Sequence, residues 1–304
     1  MKPSLETQIA DLKLANPTML AAGILGYTGL SMKKVIDAGA GAVVTKTMGL
    51  VPRKGYLNPT VVQTDCGLVN AMGLPNPGID HFKAEMNKLK KVKAPTIISI
   101  YGFSINEYAQ VARKAQNIGA AAVELNVSCP HVEKAGAQIG SDPQLLSEIV
   151  EAVVDNVTVP VFVKLTPNVT DIITIAKAAK NAGADAITAI NTLKAMAIDT
   201  ETGRPVLANK FGGLSGPAIK PIALRCVYDI YNEVDVPVIG CGGISSWQDA
   251  IQFIQAGASA LQIGTAVAFQ GLDVFSKITK GVEKYLKNKG FSNINELVGY
   301  SHKF

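Results

Sequence analysis

Apolar residues in this chain fall into short continuous runs rather than alternating with polar ones, and stretches of helical period separate the runs. Two kinds of punctuation mark where the runs begin. One is a Gly-Ala step that ends a helical stretch: Ala38-Gly39-Ala40, Ile118-Gly119-Ala120, Ala182-Gly183-Ala184 and Ala256-Gly257-Ala258. Glycine there suits a left-handed helix cap. The other is a proline that opens a run: Pro17-Thr-Met, Pro95-Thr-Ile-Ile, Pro160-Val-Phe-Val and Pro237-Val-Ile. Interleaved, these signals predict eight strands starting near residues 17, 41, 95, 121, 160, 185, 237 and 260. Helices are predicted between them, including 105–118, 143–154, 171–182, 218–234 and 247–256. Strands apolar on both faces belong to a buried parallel sheet.

Eight strand-then-helix units in a chain of 304 residues predict an α/β fold of the (β/α)8 TIM barrel type. The expected form is one domain spanning residues 1–304, with a short N-terminal extension and long loops after strands 2, 4 and 6. The rival is a doubly wound sheet, which prefers a dinucleotide fingerprint after its first strand. Here Gly23-Ile-Leu-Gly26-Tyr-Thr-Gly29 has the wrong spacing. The connections at about 48–78 and 193–216 are long enough to be functional, and in a barrel both emerge at the C-terminal rim.

Composition supports a sizeable core: 48% of residues are hydrophobic and 17% charged. The net charge of +5 comes largely from lysines at 88–93 and 284–289. These runs lie in helical patterns without interleaved aromatics, so they are read as solvated helix faces and not as a nucleic-acid surface. The four cysteines form no metal-binding spacing, which disfavours an iron–sulfur or zinc site in this chain. No apolar run approaches a membrane span, and the apolar stretch at 19–30 is preceded by Glu6 and Asp11 and reads as strand and loop. A cytoplasmic protein with no membrane association is the expectation. Cys66 and Cys226 are assigned to packing, and His81 and His302 to the surface.

The predicted strand ends carry the chemistry. Strand 2 ends in Thr45-Lys46-Thr47, strand 4 reaches Asn126, strand 5 ends in Lys164 and strand 6 in Asn191-Thr192. Each lysine alone is explained by a strand reaching water. Two lysines and two asparagines on one rim instead make a donor-rich cup for an electron-rich planar ligand and an anion. Gly216, Gly242, Gly243 and Gly264 suit phosphate held by main-chain N–H groups after strands 7 and 8. Ser246-Trp-Gln-Asp249 next to them reads as a capping box. Just past strand 4, Glu124-Leu-Asn126-Val-Ser-Cys129-Pro130-His131 clusters a thiol, a hydroxyl and an amide. A strand-end cysteine alone is more often a packed, inert residue than a reactive one.

Several motifs in order resemble the class 1 dihydroorotate dehydrogenases, most of all the catalytic subunit of the NAD-linked class 1B type. They are Asn70-Ala-Met-Gly-Leu-Pro-Asn76, Asn126-Val-Ser-Cys129-Pro, Asn191-Thr-Leu, and the run from Gly212-Gly-Leu-Ser-Gly-Pro to Arg225, followed by Gly242-Gly243 and Gly264-Thr265-Ala. The resemblance implies one FMN per chain and oxidation of (S)-dihydroorotate to orotate in pyrimidine (UMP) synthesis. By resemblance Cys129 is the base that takes the C5 proton, while hydride leaves C6 for the flavin. Lys46 and Lys164 complete the implied catalytic set. Lys46, Asn70, Met72, Gly73, Leu74, Asn126, Asn191 and Thr192 match substrate-contacting positions. Ala22, Lys46, Thr47, Asn126, Lys164, Ile190, Gly216, Gly242, Gly243, Gly264 and Thr265 match flavin-contacting ones. The loop at 130–140 is expected to act as a lid.

The resemblance also implies a homodimer joined in a heterotetramer by a partner subunit carrying FAD and a 2Fe–2S cluster. A fumarate-using homodimer of the class 1A type is the other possibility. His131 departs from the asparagine usual in class 1 enzymes and is shared with dihydropyrimidine dehydrogenases, so a flavoenzyme acting on uracil and dihydrouracil is the alternative. A Schiff-base aldolase using Lys164 or Lys46, or a non-catalytic binding barrel, would break the resemblance altogether.

Overall fold

The computed structural model describes residues 2–90, 92–127 and 139–304, and in it eight parallel strands close into a barrel. They are β1 (Thr18–Leu20), β2 (Ala42–Val44), β3 (Thr96–Ile100), β4 (Ala122–Asn126), β5 (Val161–Leu165), β6 (Ala186–Ala189), β7 (Val238–Cys241) and β8 (Ala258–Ile263). Each starts within two residues of its predicted position. Spatial order follows chain order, and β8 pairs back onto β1 through Leu261–Thr18 to Ile263–Leu20. This is the TIM-barrel architecture that the strand spacing implied.

Helices α1 (Gly29–Asp37), α2 (Ile79–Asn87), α3 (Ile105–Asn117), α4 (Pro143–Val154), α5 (Ile172–Asn181), α6 (Lys220–Glu233), α7 (Trp247–Gln255), α8 (Thr265–Gln270) and α9 (Asp273–Lys289) surround the strands. Several begin where the sequence supplies a side-chain cap: Ser104 for α3, Asp142 for α4, Asp171 for α5 and Ser246 for α7. Ser246 and Asp249 form the predicted capping box. After α3 and α5 the chain turns through Gly119 and Gly183, both at φ 97°. Any residue with a Cβ would be strained there, which is why the Gly-Ala steps announce the next strand.

Successive residues of a strand face opposite sides, so parity sorts the barrel wall. One set, including Met19, Val44, Ile97, Ala122, Phe162, Ala186, Ile239 and Ala260, fills the interior with apolar side chains. An N-terminal hairpin, Thr7–Ile9 with Leu12–Leu14, adds Ile9 and Leu14 to that cluster. The opposite parity packs against the helices in a larger cluster. Two residues further along the same interior face, the side chains turn polar: Ser99, Glu124, Lys164, Thr188, Cys241 and Gln262.

The long connections after β2 and β6 have structure of their own. Strands Leu193–Met196, Phe211–Ser215, Gly67–Asn70 and Val61–Thr64 form, in that order, one antiparallel sheet built from both loops. Val69, Ala71 and Leu207 form its own small apolar cluster. The sequence marked both loops as functional without revealing that they pair.

Three smaller expectations need correction. Of the lysines at 88–93, Lys88, Lys90 and Lys93 lie past the end of α2 rather than on it, because Lys88 is already the C-cap. Cys66 is exposed, since it occupies the turn between strands Val61–Thr64 and Gly67–Asn70. His302 is half-buried: the C-terminal turn Tyr300–Lys303 folds back so that its ring stacks on Tyr228 at 3.9 Å, with Nε2 3.1 Å from Ala256 O. Among the described residues no helix is long and apolar enough to cross a membrane.

Candidate active site

A cavity of about 730 Å³ opens at the C-terminal ends of the barrel strands, bordered by the four-stranded sheet. Except for Cys129, every residue singled out as a candidate site residue lines it. Cys129 and His131 lie outside the described residues, as does most of the loop at 130–140.

The floor comes from β2 to β6. Thr47 Oγ1 and Ser99 Oγ share a hydrogen bond of 3.0 Å, and Asn126 Nδ2 donates to Thr47 at 3.5 Å. Asn191 Nδ2 donates to Asn126 Oδ1 at 3.3 Å, and Thr192 N donates to Asn191 Oδ1 at 2.8 Å. Tyr108, fully buried on α3, donates its hydroxyl to Asn126 O at 2.9 Å and so braces the end of β4 from behind. The amides therefore form a connected row across three strand ends.

Lys164 sits deeper, only 6% exposed, with Nζ donating to Gln262 Oε1 at 2.7 Å. Gln262 Nε2 donates in turn to Glu124 Oε2, which also accepts from Thr188 Oγ1 at 2.9 Å. Burial opposes the charge on Lys164, but the Cys241 sulfur and the Glu124 carboxylate outweigh it and hold its pKa above the usual lysine value. Burial pushes the Cys241 thiol up, Lys164 opposing and Glu124 reinforcing that shift. The Cys241 thiol therefore gives up its proton less readily than an ordinary cysteine. Lys46 behaves differently, because burial pulls its pKa below the usual lysine value.

The opposite wall is backbone. Gly242 (φ 135°) and Gly243 (φ 73°) follow β7, Gly216 (φ 101°) follows the strand Phe211–Ser215, and Gly264 leads into α8. A Cβ on Gly242 would lie 2.6 Å from Ala223 Cβ, and one on Gly243 would lie 2.8 Å from Gly216 O. Only glycine fits either position, so main-chain N–H groups can approach a ligand closely. Thr265 Oγ1 donates to Ser215 Oγ at 2.8 Å and ties this wall to the sheet.

The third side is the turn at 70–76. Asn70 Nδ2 donates to Gly213 O at 3.3 Å, and Arg53 Nε donates to Gly73 O at 2.7 Å while its guanidinium lies over the Phe103 ring. Asn76, 3% exposed, accepts from Gly78 N (2.9 Å) and Gly49 N (3.2 Å) and donates to Leu74 O (2.9 Å) and Tyr101 Oη (3.2 Å).

Sequence reasoning missed several members of the site. Arg53 and Phe103 were hidden in loops. Asn168 donates to Thr192 O at 2.9 Å and accepts from Lys194 N at 2.9 Å, fixing the chain after β6. Gln262 and Glu124 carried a legible signal: each is polar inside an apolar strand, and Glu124 shares interior parity with Asn126.

The comparisons with known proteins agree with this architecture. The family model described as "Dihydroorotate dehydrogenase" matches residues 4–286. A protein of Methanosarcina acetivorans named "Dihydroorotate dehydrogenase B (NAD(+)), catalytic subunit" is 52% identical over 297 residues, covering 97% of this chain and 95% of its own length. Relatives of the same name from Methanothermobacter thermautotrophicus and Pyrococcus furiosus are each 50% identical over 300 residues. Those alignments cover 98% of both chains in the first case and 99% of both in the second. The chain belongs to the dihydroorotate dehydrogenase family. None of these names favours the uracil-reducing alternative raised by His131.

Proposed function

We propose that this chain oxidises (S)-dihydroorotate to orotate in pyrimidine synthesis, as an FMN-dependent catalytic subunit acting as one barrel domain in the cytoplasm. The observation that carries this reading is the meeting, in one cavity, of an amide row, a buried lysine and a glycine cradle. Each suits a different part of a flavin and a planar anionic substrate.

The fit to FMN rests on the cradle and the floor. The N–H groups around Gly216, Gly242, Gly243 and Gly264 would hold the phosphate, and a Cβ on Gly216, Gly242 or Gly243 would collide with neighbouring atoms of the cradle. Ala22, Thr47, Ile190 and Thr265 would line its remaining surface, with Lys164 beneath. When bound, FMN supplies the two-electron acceptor that the side chains here lack.

The residues of the chain then divide the work. Asn70, Asn126, Asn191 and Thr192 orient the substrate ring and its carboxylate through directional hydrogen bonds, and Met72, Gly73 and Leu74 close over it. Lys46 contributes a cation at the end of β2. Cys129 removes the C5 proton, the freed electron pair forms the C5=C6 double bond, and the C6 hydrogen departs with its pair as a hydride equivalent. Lys164 keeps a fixed positive charge below the site of reduction.

The relatives' name "catalytic subunit" supports a partner subunit for this chain too. In this reading the partner carries FAD and a 2Fe–2S cluster and passes electrons to NAD, within a heterotetramer built on a homodimer of this chain. The test of the substrate is a comparison of turnover with dihydroorotate and with dihydrouracil, using an artificial acceptor. Preference for dihydroorotate is expected. A preference for dihydrouracil would overturn the assignment.

A further inference from the structure

The polar layer beneath the cavity is a directed chain of hydrogen bonds running from Lys164 through Gln262 to Glu124. Glu124 on β4 is 0% exposed and uses one carboxyl oxygen as a double acceptor. Its Oε2 takes bonds from Thr188 Oγ1 and Gln262 Nε2. With its nitrogen committed to Glu124, Gln262 must present its oxygen to Lys164, whose Nζ donates at 2.7 Å.

Nothing in Gln262 itself dictates that orientation, because the two ends of an amide are nearly the same size. Turned around, Gln262 would set its NH₂ against an ammonium, opposing two donors where water is excluded. The arrangement has a cost: Glu124 Oε1 is buried with no hydrogen-bond partner among the described residues. The interior layer next to it is apolar, so a residue doing nothing but filling space there would be apolar too. Cys241 on β7 is also coupled to Lys164, and burial raises its thiol pKa.

We propose that Glu124 is a positioning residue that, acting through Gln262, locks the Lys164 ammonium against the cavity floor. This rests on the reading above, in which Lys164 lies against the flavin. Glu124 touches neither cofactor nor substrate; it holds Gln262 Nε2 so that the amide oxygen stays on Lys164.

The experiment is the midpoint potential of the bound flavin, measured anaerobically in the wild type, Glu124→Met, Lys164→Ala and the double variant. A cation at Lys164 favours the negatively charged reduced cofactor, so Lys164→Ala should lower the potential. If Glu124 acted as a bare charge, its neutralisation would raise the potential. Acting through Lys164, Glu124→Met lowers it, because Gln262 Nε2 loses its acceptor and the hold on Lys164 loosens; the change is in the same direction as Lys164→Ala, and the double variant falls no further than Lys164→Ala alone. A raised or unchanged potential in Glu124→Met overturns the proposal while leaving the flavin reading intact. An unmoved potential in Lys164→Ala overturns both.

Should Glu124→Met fail to fold, the exchanged pair Glu124→Gln/Gln262→Glu keeps the proposal testable. It puts a carboxylate directly on Lys164 and lets residue 124 donate to it, so a potential near that of the wild type is expected. A potential as low as that of Lys164→Ala would contradict the relay.

Discussion

Asn70 and Gly213, 143 positions apart, face each other across an antiparallel pairing, and the Asn70 side chain donates to Gly213 O at 3.3 Å. This pairing joins the loop after β2 to the loop after β6. The turn at 70–74 and the pair Asn191-Thr192, two sides of the proposed substrate site, are therefore held by one sheet.

Gly213 also meets Thr192 directly, since a Cβ there would lie 2.6 Å from Thr192 Cβ and nearer still to its hydroxyl. Gly213→Ala should thus cost about 1–3 kcal/mol of stability by overpacking. It should also raise KM for dihydroorotate while leaving flavin content unchanged. Thermal denaturation, a flavin-to-protein absorbance ratio and steady-state kinetics would check all three.

Asn76 uses both ends of its side chain to pin the turn at 70–76 to the ends of β2 and β3. Asn76→Ala leaves two buried backbone N–H groups without their acceptor, at about 1–3 kcal/mol each before relaxation. The expected result is a clear loss of stability in denaturant titration, together with weaker orotate binding because Leu74 is released. Normal stability with normal orotate affinity would show that the turn holds without this latch.

Lys46 and Lys164 should respond to pH in opposite ways. Burial lowers the Lys46 pKa, so its charge is present at low pH and lost on raising the pH sooner than for an exposed lysine. Orotate affinity should therefore weaken as pH rises through the alkaline range, below the ordinary lysine value. Lys46→Arg, if it still binds, should remove that decline because guanidinium stays charged. Lys164, with its pKa raised, should stay charged over the whole of that range. A flat profile for the wild type would remove Lys46 from the anion site.

The barrel was legible because its signals are local. A proline or a Gly-Ala step stands at each strand start, and the helix caps at Ser104, Asp142, Asp171 and Ser246 are single residues with a direct backbone effect. Strand ends carrying Lys46, Asn126, Lys164 and Asn191 converge once the barrel closes, so most of the rim followed from topology. The sheet joining the two long loops was not legible, because its strands are short, partly polar and paired across more than a hundred residues. Glu124 and Gln262 were overlooked for a different reason. A polar residue inside an apolar run has meaning only when parity places it indoors and a partner waits across the barrel. His302 was misjudged because its burial depends on where the chain end folds.

The central claim is that this chain bears a flavin reduced by dihydroorotate, with Cys129 as the base. The most direct measurement is the anaerobic visible spectrum of the purified protein before and after dihydroorotate is added, for the wild type and Cys129→Ala. The account predicts two yellow proteins: the wild type bleaches promptly, and Cys129→Ala bleaches about 10²–10⁴-fold more slowly. Wild-type protein that stays colourless after FMN is supplied, or a Cys129→Ala variant that bleaches at the wild-type rate, would contradict it.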